Sequence, residues 1–329
     1  MAAAKLRSFE ELVNLFSDYS AEQSGIERSK LLYEPVDYIM EQSGKKLRPL
    51  SMLLVHQALG GDVSDILPAA YAIELFHNFT LVHDDIMDKA ELRRNKDTVH
   101  KRFGTELAIL SGDVMMIDSV QYVRKAERNC NNGSAIDLFL KTAQEICIGQ
   151  ALDMRFERRN DVVKAEYIEM IRLKTAVLLA CSMSIPAVLS RQDEQTVQLI
   201  YGFAEQLGIA FQIQDDYLDL YGDQSKVGKQ SGGDILQAKK TILYFVALEY
   251  SDGDQKSRLN HLFSSDIQGE LRLEQTKILF EELNVKDRVQ QEIALSIKQC
   301  DKILERLIPI TALHEVLVQL KEQVLQRDK

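Results

Sequence analysis

The sequence predicts an all-α fold. Apolar residues recur at intervals of three and four positions along the stretch that leads into Asp84–Asp88, which is the period of a buried helical stripe. The residues at this spacing are Leu75, Phe79, Val82 and Ile86. A second apolar stretch, which ends at Asp219, carries the same acidic pattern. Hydrophobic residues make up 45 % of the chain, with only five prolines and sixteen glycines, and this composition suits a large helical core.

Composition also limits the organisation and the partners of the protein. A net charge of −10 argues against a general nucleic-acid or anionic-membrane role, so the basic residues that matter must act locally. A length of 329 residues allows one large domain or two. No Gly-, Pro- or Ser-rich linker and no break in composition interrupts the sequence. We therefore predict a single domain over residues 1–329.

The cysteines and the apolar segments indicate a cytoplasmic protein. The four cysteines are far apart, lie in apolar helical contexts and show no metal-ligand spacing, which is typical of reduced core residues. The N-terminus lacks the apolar region of a signal peptide. The longest apolar run, Thr175 to Leu189, is too short to span a membrane and is interrupted by Pro186. No membrane-spanning helix is expected.

The stretch from Leu81 to Asp88 is the strongest candidate for a metal site. Asp84 and Asp88 are four residues apart, so their carboxylates leave one face of a helix, and His77 falls on that face two turns earlier. Asp84, Asp85 and Asp88 place three carboxylates within five residues. Their mutual repulsion gives a purely structural helix no advantage. Mg²⁺ removes this repulsion and binds one or two carboxylates, waters and phosphate oxygens. The alternative is a solvated acidic patch.

A second acidic cluster favours the metal hypothesis. Asp215, Asp216 and Asp219 repeat the Asp-Asp-x-x-Asp spacing, and Gly208 and Gln212 lie on the same helical stripe as Asp215 and Asp219. Two acidic clusters that end two apolar helices suggest two facing walls with metal ions between them.

A basic turn precedes the first cluster. Lys45, Lys46 and Arg48 follow Gly44, and this combination suits an anion such as diphosphate, because arginine supplies a bidentate fork and lysine a mobile charge. The alternatives are a solvated basic turn and, for His77, an ordinary core histidine.

These motifs resemble those of trans-isoprenyl diphosphate synthases of the farnesyl/geranylgeranyl type, from about Gly44 to Thr241. The resemblance implies an isoprenoid synthase helical bundle around a central cavity. It also implies a homodimer that condenses isopentenyl diphosphate head to tail with dimethylallyl, geranyl or farnesyl diphosphate.

The resemblance implies roles for individual residues. Lys45, Arg48, His77 and Arg94 would bind the homoallylic diphosphate, and Arg93 would face the allylic one. Asn95 and Asp97 replace the family's usual Gly and Pro, but Asn tolerates a left-handed conformation.

Further roles concern the allylic substrate. Lys174 and Thr175 would lie beside the cleaving carbon–oxygen bond, and Gln212 would help to shield the cation. Lys229 and Lys239 would flank a mobile, Gly-rich lid over Gly228–Asp234, with Ala238 where the family has Gly.

The implied metal content is three Mg²⁺. Asp84, Asp88 and Asp215 would be the ligands, and Asp85, Asp216 and Asp219 would be outer or auxiliary groups.

Product length is expected to depend on aromatic residues before the first cluster. Phe79 and Phe76 lie about 7 and 12 Å from Asp84 along a helix. In the family, an aromatic residue five positions before the motif stops elongation, whereas Thr80 is small. C15–C20 products are therefore expected, with C20 slightly favoured. The alternative is that both phenylalanines only pack the core.

Two other functions are compatible with part of the pattern. A class I terpene cyclase has one Asp-rich motif but usually a different second metal motif, and it does not need the Gly-Lys-x-x-Arg segment. A catalytically silent subunit of a heteromeric prenyl synthase would be expected to lose one acidic cluster, whereas both are intact here.

Overall fold

Helices account for almost all of the residues described by the structure, which is a computed structural model. It describes residues 7–24, 29–42, 44–132, 134–157, 159–222, 232–264 and 267–325. The helices are α1 (Phe9–Ser24), α2 (Lys30–Met40), α3 (Leu47–Ala58), α4 (Val63–Met87), α5 (Val99–Phe103), α6 (Thr105–Asn129), α7 (Ala135–Phe156), α8 (Lys164–Ile171), a π-helical turn (Arg172–Ala176), α9 (Val177–Leu189), α10 (Glu194–Tyr221), α11 (Gly233–Leu236), α12 (Ile242–Tyr250), α13 (Gly253–Leu262), α14 (Gly269–Glu282), α15 (Val285–Leu307) and α16 (Thr311–Leu325). Within these ranges the only sheet is an antiparallel pair, β1 (Leu92–Arg93) and β2 (Lys96–Asp97). The predicted all-α fold is confirmed.

An aspartate cap sets the start of the helix that carries the first acidic cluster. The Asp62 side chain accepts a hydrogen bond from the Ser64 backbone N–H at 2.9 Å, so α4 begins at Val63. Pro68 lies inside the helix. An aspartate N-cap satisfies an end N–H that has no partner within the helix, and this fixes the beginning of α4.

Proline also lies in or beside other helices. The second helix begins at Lys30 and contains Pro35. The last helix begins at Thr311. Pro309 lies between α15 and α16, where it cannot continue a helix because it has no backbone N–H to donate.

The residues fall into two compact units, each described here by itself. The first comprises Met1–Ala143, Cys181–Tyr201 and Pro309–Leu317, and the second comprises Gln144–Ala180, Gly202–Ile308 and Val318–Lys329. Four of the five unit boundaries fall inside helices, and the fifth, between Ile308 and Pro309, lies between α15 and α16. The single domain over 1–329 stays a prediction.

In the first unit, α4 packs against α3 and α6. The α4 residues from Ile66 to Phe76 are all buried, because this part of the helix is apolar on every side except at Glu74. Further along α4 the predicted stripe is only partly buried: Val82 is buried, but Phe79 and Ile86 are half-buried. The first part of α4 is therefore a core helix, whereas the part near its C-terminus has partly exposed side chains.

In the second unit, the core forms around α12, where every residue from Ile242 to Ala247 is buried. Tyr167 and Phe245 stack with ring centroids 5.2 Å apart, and α12 packs against α15. This core holds the part of α10 that carries the second acidic cluster, since Ile213 and Leu220 belong to the same apolar group.

One helical stretch in the described residues, Lys164–Leu189, is long and apolar enough to cross a membrane. However, 78 % of its most apolar window is buried inside the protein, as in a core helix. The four cysteines are free thiols; Cys181 and Cys300 are buried as expected. Cys147 is exposed, contrary to the expectation that all four lie in the core, because its face of α7 points outwards.

Candidate active site

The first acidic cluster lies at the C-terminal end of α4, where its three carboxylates have different surroundings. Asp84 is half-buried, Asp88 is the exposed C-cap residue, and Asp85 is 2 % exposed. Successive side chains on a helix diverge by about 100°, so Asp85 faces the protein interior while Asp84 does not. The cluster therefore presents two carboxylates outwards and one inwards.

The buried Asp85 is held by Arg93. The Arg93 Nε donates to Asp85 Oδ2 at 2.8 Å, and its Nη2 donates to Oδ1 at 2.8 Å. Arg93 lies on a hairpin in which Leu92 pairs with Asp97. The two turn residues have φ of 52° and 62°, and they are Arg94 and Asn95. Asn95 thus adopts the left-handed conformation that the sequence analysis expected.

The donors fit Mg²⁺ better than a metal that needs a complete protein cage. Within the described ranges, no group of three or more His, Cys, Asp or Glu side chains is arranged to hold a metal ion. Asp84 and Asp88 supply carboxylate oxygens from successive turns, and Mg²⁺ usually takes one or two carboxylates with waters and substrate phosphates. Asp85 has both oxygens engaged by Arg93, which suits an auxiliary role.

A group of basic side chains surrounds His77 on the same helix. Arg48 Nη1 lies 3.5 Å from His77 Nε2. Burial, followed by the positive charges of Arg48, Arg94, Arg93 and Lys46, holds the pKa of His77 well below its ordinary value of 6.5. His77 is therefore neutral, and the surroundings favour an anion.

The basic turn supports this group through its backbone conformation. Lys46 has φ of 46°, and its Nζ binds Glu74 Oε1 at 2.8 Å. The Arg94 guanidinium lies against Gly44, where an added Cβ would be 3.0 Å from Nη1. Lys45 is exposed. The structure thus brings Arg48, His77 and Arg94 together.

The second unit carries a different set of polar groups on the π-helical turn. Lys174 Nζ donates to Asp153 Oδ2 at 2.5 Å. A lysine among apolar residues is unfavourable without an anionic partner, and Asp153 is that partner. The Thr175 hydroxyl donates to Gln212 Oε1 at 3.1 Å. A π-helical turn inside an α-helix frequently occurs at functional positions.

Two glycines allow close packing around this turn. A Cβ added at Gly149 would lie 2.5 Å from the Lys174 backbone nitrogen. A Cβ at Gly208 would lie 2.7 Å from the Ala176 Cα. Both distances are shorter than any normal contact, so α7 and α10 reach the π-helical turn only because these residues lack side chains.

The second acidic cluster, like the first, has a buried carboxylate next to a more exposed one. Asp215 is exposed, whereas Asp216 is 4 % exposed and accepts hydrogen bonds from Tyr167 and Gln212. Burial raises the pKa of Asp216 to about 7, although the hydrogen bonds act in the opposite direction. Burial also raises the pKa of Tyr167 well above 10.

The third carboxylate of this cluster, Asp219, is held by the short helix α11. The Asp234 backbone N–H donates to Asp219 Oδ2 at 3.1 Å. Ala238 has φ of 57°, so it keeps the left-handed conformation that glycine would adopt there more easily. Lys239 follows it and is exposed. Lys229 and the predicted lid residues 228–231 lie outside the described residues.

The predicted chain-length residues form an aromatic row in the first unit. The Phe76 and Phe79 ring centroids are 5.3 Å apart, and Phe79 lies 4.7 Å from the His83 ring. Phe76 is 1 % exposed and also contacts Phe139. Phe76 therefore packs the core, whereas Phe79 and Thr80 are half-buried.

Sequence reasoning missed two polar residues of these sites. Glu74, which is buried and binds Lys46, is an acidic residue inside the apolar run of α4, and that position could have revealed it. Tyr167, which holds Asp216, gave no signal, because its partner is distant in sequence.

The chain is similar to a known protein family and to several of its members. The sequence profile of the polyprenyl synthetase family matches residues 29–278. The geranylgeranyl diphosphate synthase of Sulfolobus acidocaldarius is 40 % identical over 251 residues, which are 75 % of this chain and 76 % of that protein. The geranylfarnesyl diphosphate synthase of Natronomonas pharaonis is 40 % identical over 253 residues, covering 71 % of this chain and 72 % of that protein.

A solved structure supports the same assignment. The geranylgeranyl pyrophosphate synthetase from Pyrococcus horikoshii Ot3 has a TM-score of 0.86 and 31 % identity, and the match covers 97 % of each chain. The chain belongs to the polyprenyl synthetase family of trans-isoprenyl diphosphate synthases. It has the isoprenoid synthase fold, and its enzyme class is prenyltransferase.

The close approach of Gly149 to the π-helical turn predicts the effect of a single methyl group. Gly149→Ala should lower the free energy of unfolding by about 1–3 kcal/mol, because Cβ would collide with the Lys174 backbone. Gly253→Ala is the matched control, since nothing lies within 4 Å of its added Cβ. Urea unfolding followed by circular dichroism measures both. Equal stability of the two variants would contradict the close packing.

Proposed function

We propose that this prenyltransferase is a short-chain synthase. It condenses isopentenyl diphosphate with dimethylallyl, geranyl or farnesyl diphosphate, head to tail, and gives C15–C20 products with C20 slightly favoured. The names of the relatives from Sulfolobus acidocaldarius and Pyrococcus horikoshii support a C20 product. The name of the Natronomonas pharaonis relative, a geranylfarnesyl diphosphate synthase, indicates a longer product for that protein.

One observation carries the proposal: α4 lies beside a basic group and carries an acidic cluster further along. His77 lies among arginines, and Asp84 and Asp88 follow about 10 Å further along the helix. A condensation of two diphosphates needs one site that binds through cationic side chains and another that binds through metal ions. A terpene cyclase needs only the second.

The homoallylic diphosphate is assigned to the basic group. Arg48 and Arg94 supply forked guanidinium donors, and Lys45 supplies a mobile ammonium group at the exposed edge of the turn. His77 is neutral, so it contributes a hydrogen bond rather than a charge. Binding here holds the substrate by its diphosphate and leaves its double bond free to react.

The allylic diphosphate is assigned to the acidic clusters through Mg²⁺, with three ions as the expected number. Asp84, Asp88 and Asp215 are the proposed ligands, with Asp85, Asp216 and Asp219 in auxiliary roles. When bound, Mg²⁺ would neutralise the charge that develops on the departing diphosphate. Cationic side chains assist at the same group, and the residues assigned to this role are Arg93, Lys174, Lys229 and Lys239.

The reaction breaks the allylic carbon–oxygen bond, and the electron pair leaves with diphosphate. Thr175 Oγ1 and Gln212 Oε1 direct their lone pairs towards the positive charge that develops on the allylic carbons. The double bond of isopentenyl diphosphate then forms the new carbon–carbon bond. A proton leaves the adjacent carbon, and the released diphosphate accepts it.

Product length is assigned to Phe79, with Phe76 and Thr80 in supporting roles. Phe79 is half-buried, so part of its ring is accessible, and its position is fixed by Phe76 on one side and His83 on the other. A ring held from two sides is a rigid floor for a growing hydrocarbon chain.

The protein is further proposed to be a cytoplasmic homodimer. Large apolar side chains are exposed along α6, namely Ile109, Leu110 and Ile117 at 41, 53 and 57 %. Exposed apolar rows of this kind mark protein interfaces. Sedimentation velocity of the purified protein would test the oligomeric state.

The assay that tests the function uses the purified protein, Mg²⁺, labelled isopentenyl diphosphate and each allylic diphosphate in turn, followed by product sizing. Extension to C15–C20 products is expected, with loss of turnover on chelation and in Asp84→Ala. A cyclic product without isopentenyl diphosphate would indicate a terpene cyclase. No extension with any substrate would contradict the synthase assignment and favour a silent subunit.

Arg48 distinguishes the two diphosphate sites. Arg48→Ala should raise the KM for isopentenyl diphosphate about tenfold or more and change the KM for the allylic substrate much less, because a lost ground-state contact appears in KM. Arg102→Ala is the control, since the Arg102 guanidinium stacks over the Tyr38 ring and has no role assigned in substrate binding. Equal increases for both substrates would contradict the assignment of Arg48 to one site.

Phe79 tests the product floor. Phe79→Ala should shift the products to longer chains, and Phe79→Ala with Phe76→Ala should shift them further, because the floor is lowered by about one helical turn. Phe103→Ala, which removes another half-buried ring, should leave chain length unchanged. Unchanged products in the active double variant would show that other residues form the floor.

A further inference from the structure

The buried Tyr167 hydroxyl has no place in the chemistry described so far. Tyr167 is 3 % exposed and donates a hydrogen bond to Asp216 Oδ2. The same oxygen lies 3.4 Å from the Ile242 backbone nitrogen, which also donates to it. The Tyr167 side chain therefore fixes one edge of a carboxylate that is itself buried.

The other edge of this carboxylate sets the orientation of a neighbouring amide. Gln212 Nε2 donates to Asp216 Oδ1 at 3.0 Å. Ionised Asp216 only accepts, and its other oxygen is already bonded by Tyr167, so the inverted amide would place two oxygens against each other. The nitrogen of Gln212 must therefore face Asp216, and its oxygen must face the π-helical turn.

The orientation of Gln212 in turn sets the orientation of a hydroxyl. Gln212 Oε1 accepts from the Thr175 Oγ1 hydroxyl at 3.1 Å. Thr175 has one hydroxyl proton, and this bond uses it. The Thr175 lone pairs then point away from Gln212, which is the orientation that stabilises a positive charge on a substrate.

We propose that Tyr167 is a positioning residue that acts through Asp216 and Gln212 to orient the Thr175 hydroxyl for the allylic cation. The inference rests on the proposed function, because it assigns the hydroxyl a role in that reaction. It differs from a packing role: the Tyr167 ring stacks on Phe245, whereas the orientation depends on the hydroxyl alone.

The test is a double-mutant cycle on the full-length protein with Mg²⁺ and both substrates. Tyr167→Phe keeps the ring and should lower kcat about 3- to 10-fold, the effect of one hydrogen bond, with each KM changed less than about twofold. In a Thr175→Val background, Tyr167→Phe should have no further effect on kcat, because the hydroxyl that it orients is gone.

Tyr244→Phe is the matched control. Tyr244 is 2 % exposed, belongs to the same core, and donates to Asn260 Oδ1 at 2.9 Å. Its loss removes a buried tyrosine hydroxyl without touching Asp216, so kcat should stay at the wild-type value. An equal fall in kcat for Tyr244→Phe would overturn the proposal.

The outcomes separate this inference from the function on which it rests. An inactive wild-type protein contradicts the proposed function. An active wild type in which Tyr167→Phe lowers kcat by the same factor with and without Thr175 contradicts the positioning role. If Tyr167→Phe fails to fold, Asp216→Asn replaces it in the same cycle, because an amide there no longer dictates the Gln212 orientation. Additive effects in that cycle overturn the proposal equally.

Discussion

The sites depend on one constraint: the two neighbouring aspartates of each Asp-Asp pair face different surroundings. Consecutive helical residues diverge by about 100°, so one carboxylate of each pair faces outwards and the next faces the core. Asp85 is buried and bound by Arg93, and Asp216 is buried and bound by Tyr167 and Gln212. A buried carboxylate without such hydrogen-bond donors would be strongly unfavourable. The buried aspartate of each pair therefore requires the donors that contact it.

The two buried carboxylates use different donors, and this difference suits different tasks. Arg93 brings a full positive charge, which neutralises Asp85 and ties the hairpin to the end of α4. Burial raises the pKa of Asp216 to about 7, although its neutral donors Tyr167 and Gln212 act in the opposite direction. Asp85 of the first pair holds the charged Arg93 guanidinium in place. Asp216 of the second pair sets the orientation of an uncharged amide, that of Gln212.

Backbone irregularities place the remaining polar groups. The π-helical turn displays Lys174 and Thr175, and Gly149 and Gly208 let the adjacent helices approach it. The left-handed residues Lys46 and Arg94 place basic groups near His77. These conformations are less favourable than regular helix, and the surrounding packing maintains them.

The sequence by itself determined the fold class, the family and most of the side chains assigned to the sites. Helical periodicity and the repeated Asp-Asp-x-x-Asp spacing are local patterns, so they are visible without contacts between distant residues. Asn95 was likewise expected to accept a left-handed turn, and it does. The Asp62 cap places the start of α4 at Val63, ahead of Pro68, although proline itself commonly occupies the first turn of a helix.

The tertiary structure decided which members of each pattern face inwards and what holds them. Asp84 and Asp85 look alike in sequence, but only packing tells that Asp85 meets Arg93. The link from Tyr167 to Asp216 joins residues 49 positions apart, and no local pattern reports such a pair. Hydrogen bonds between distant segments depend on how the helices pack, and that packing is a property of the whole fold.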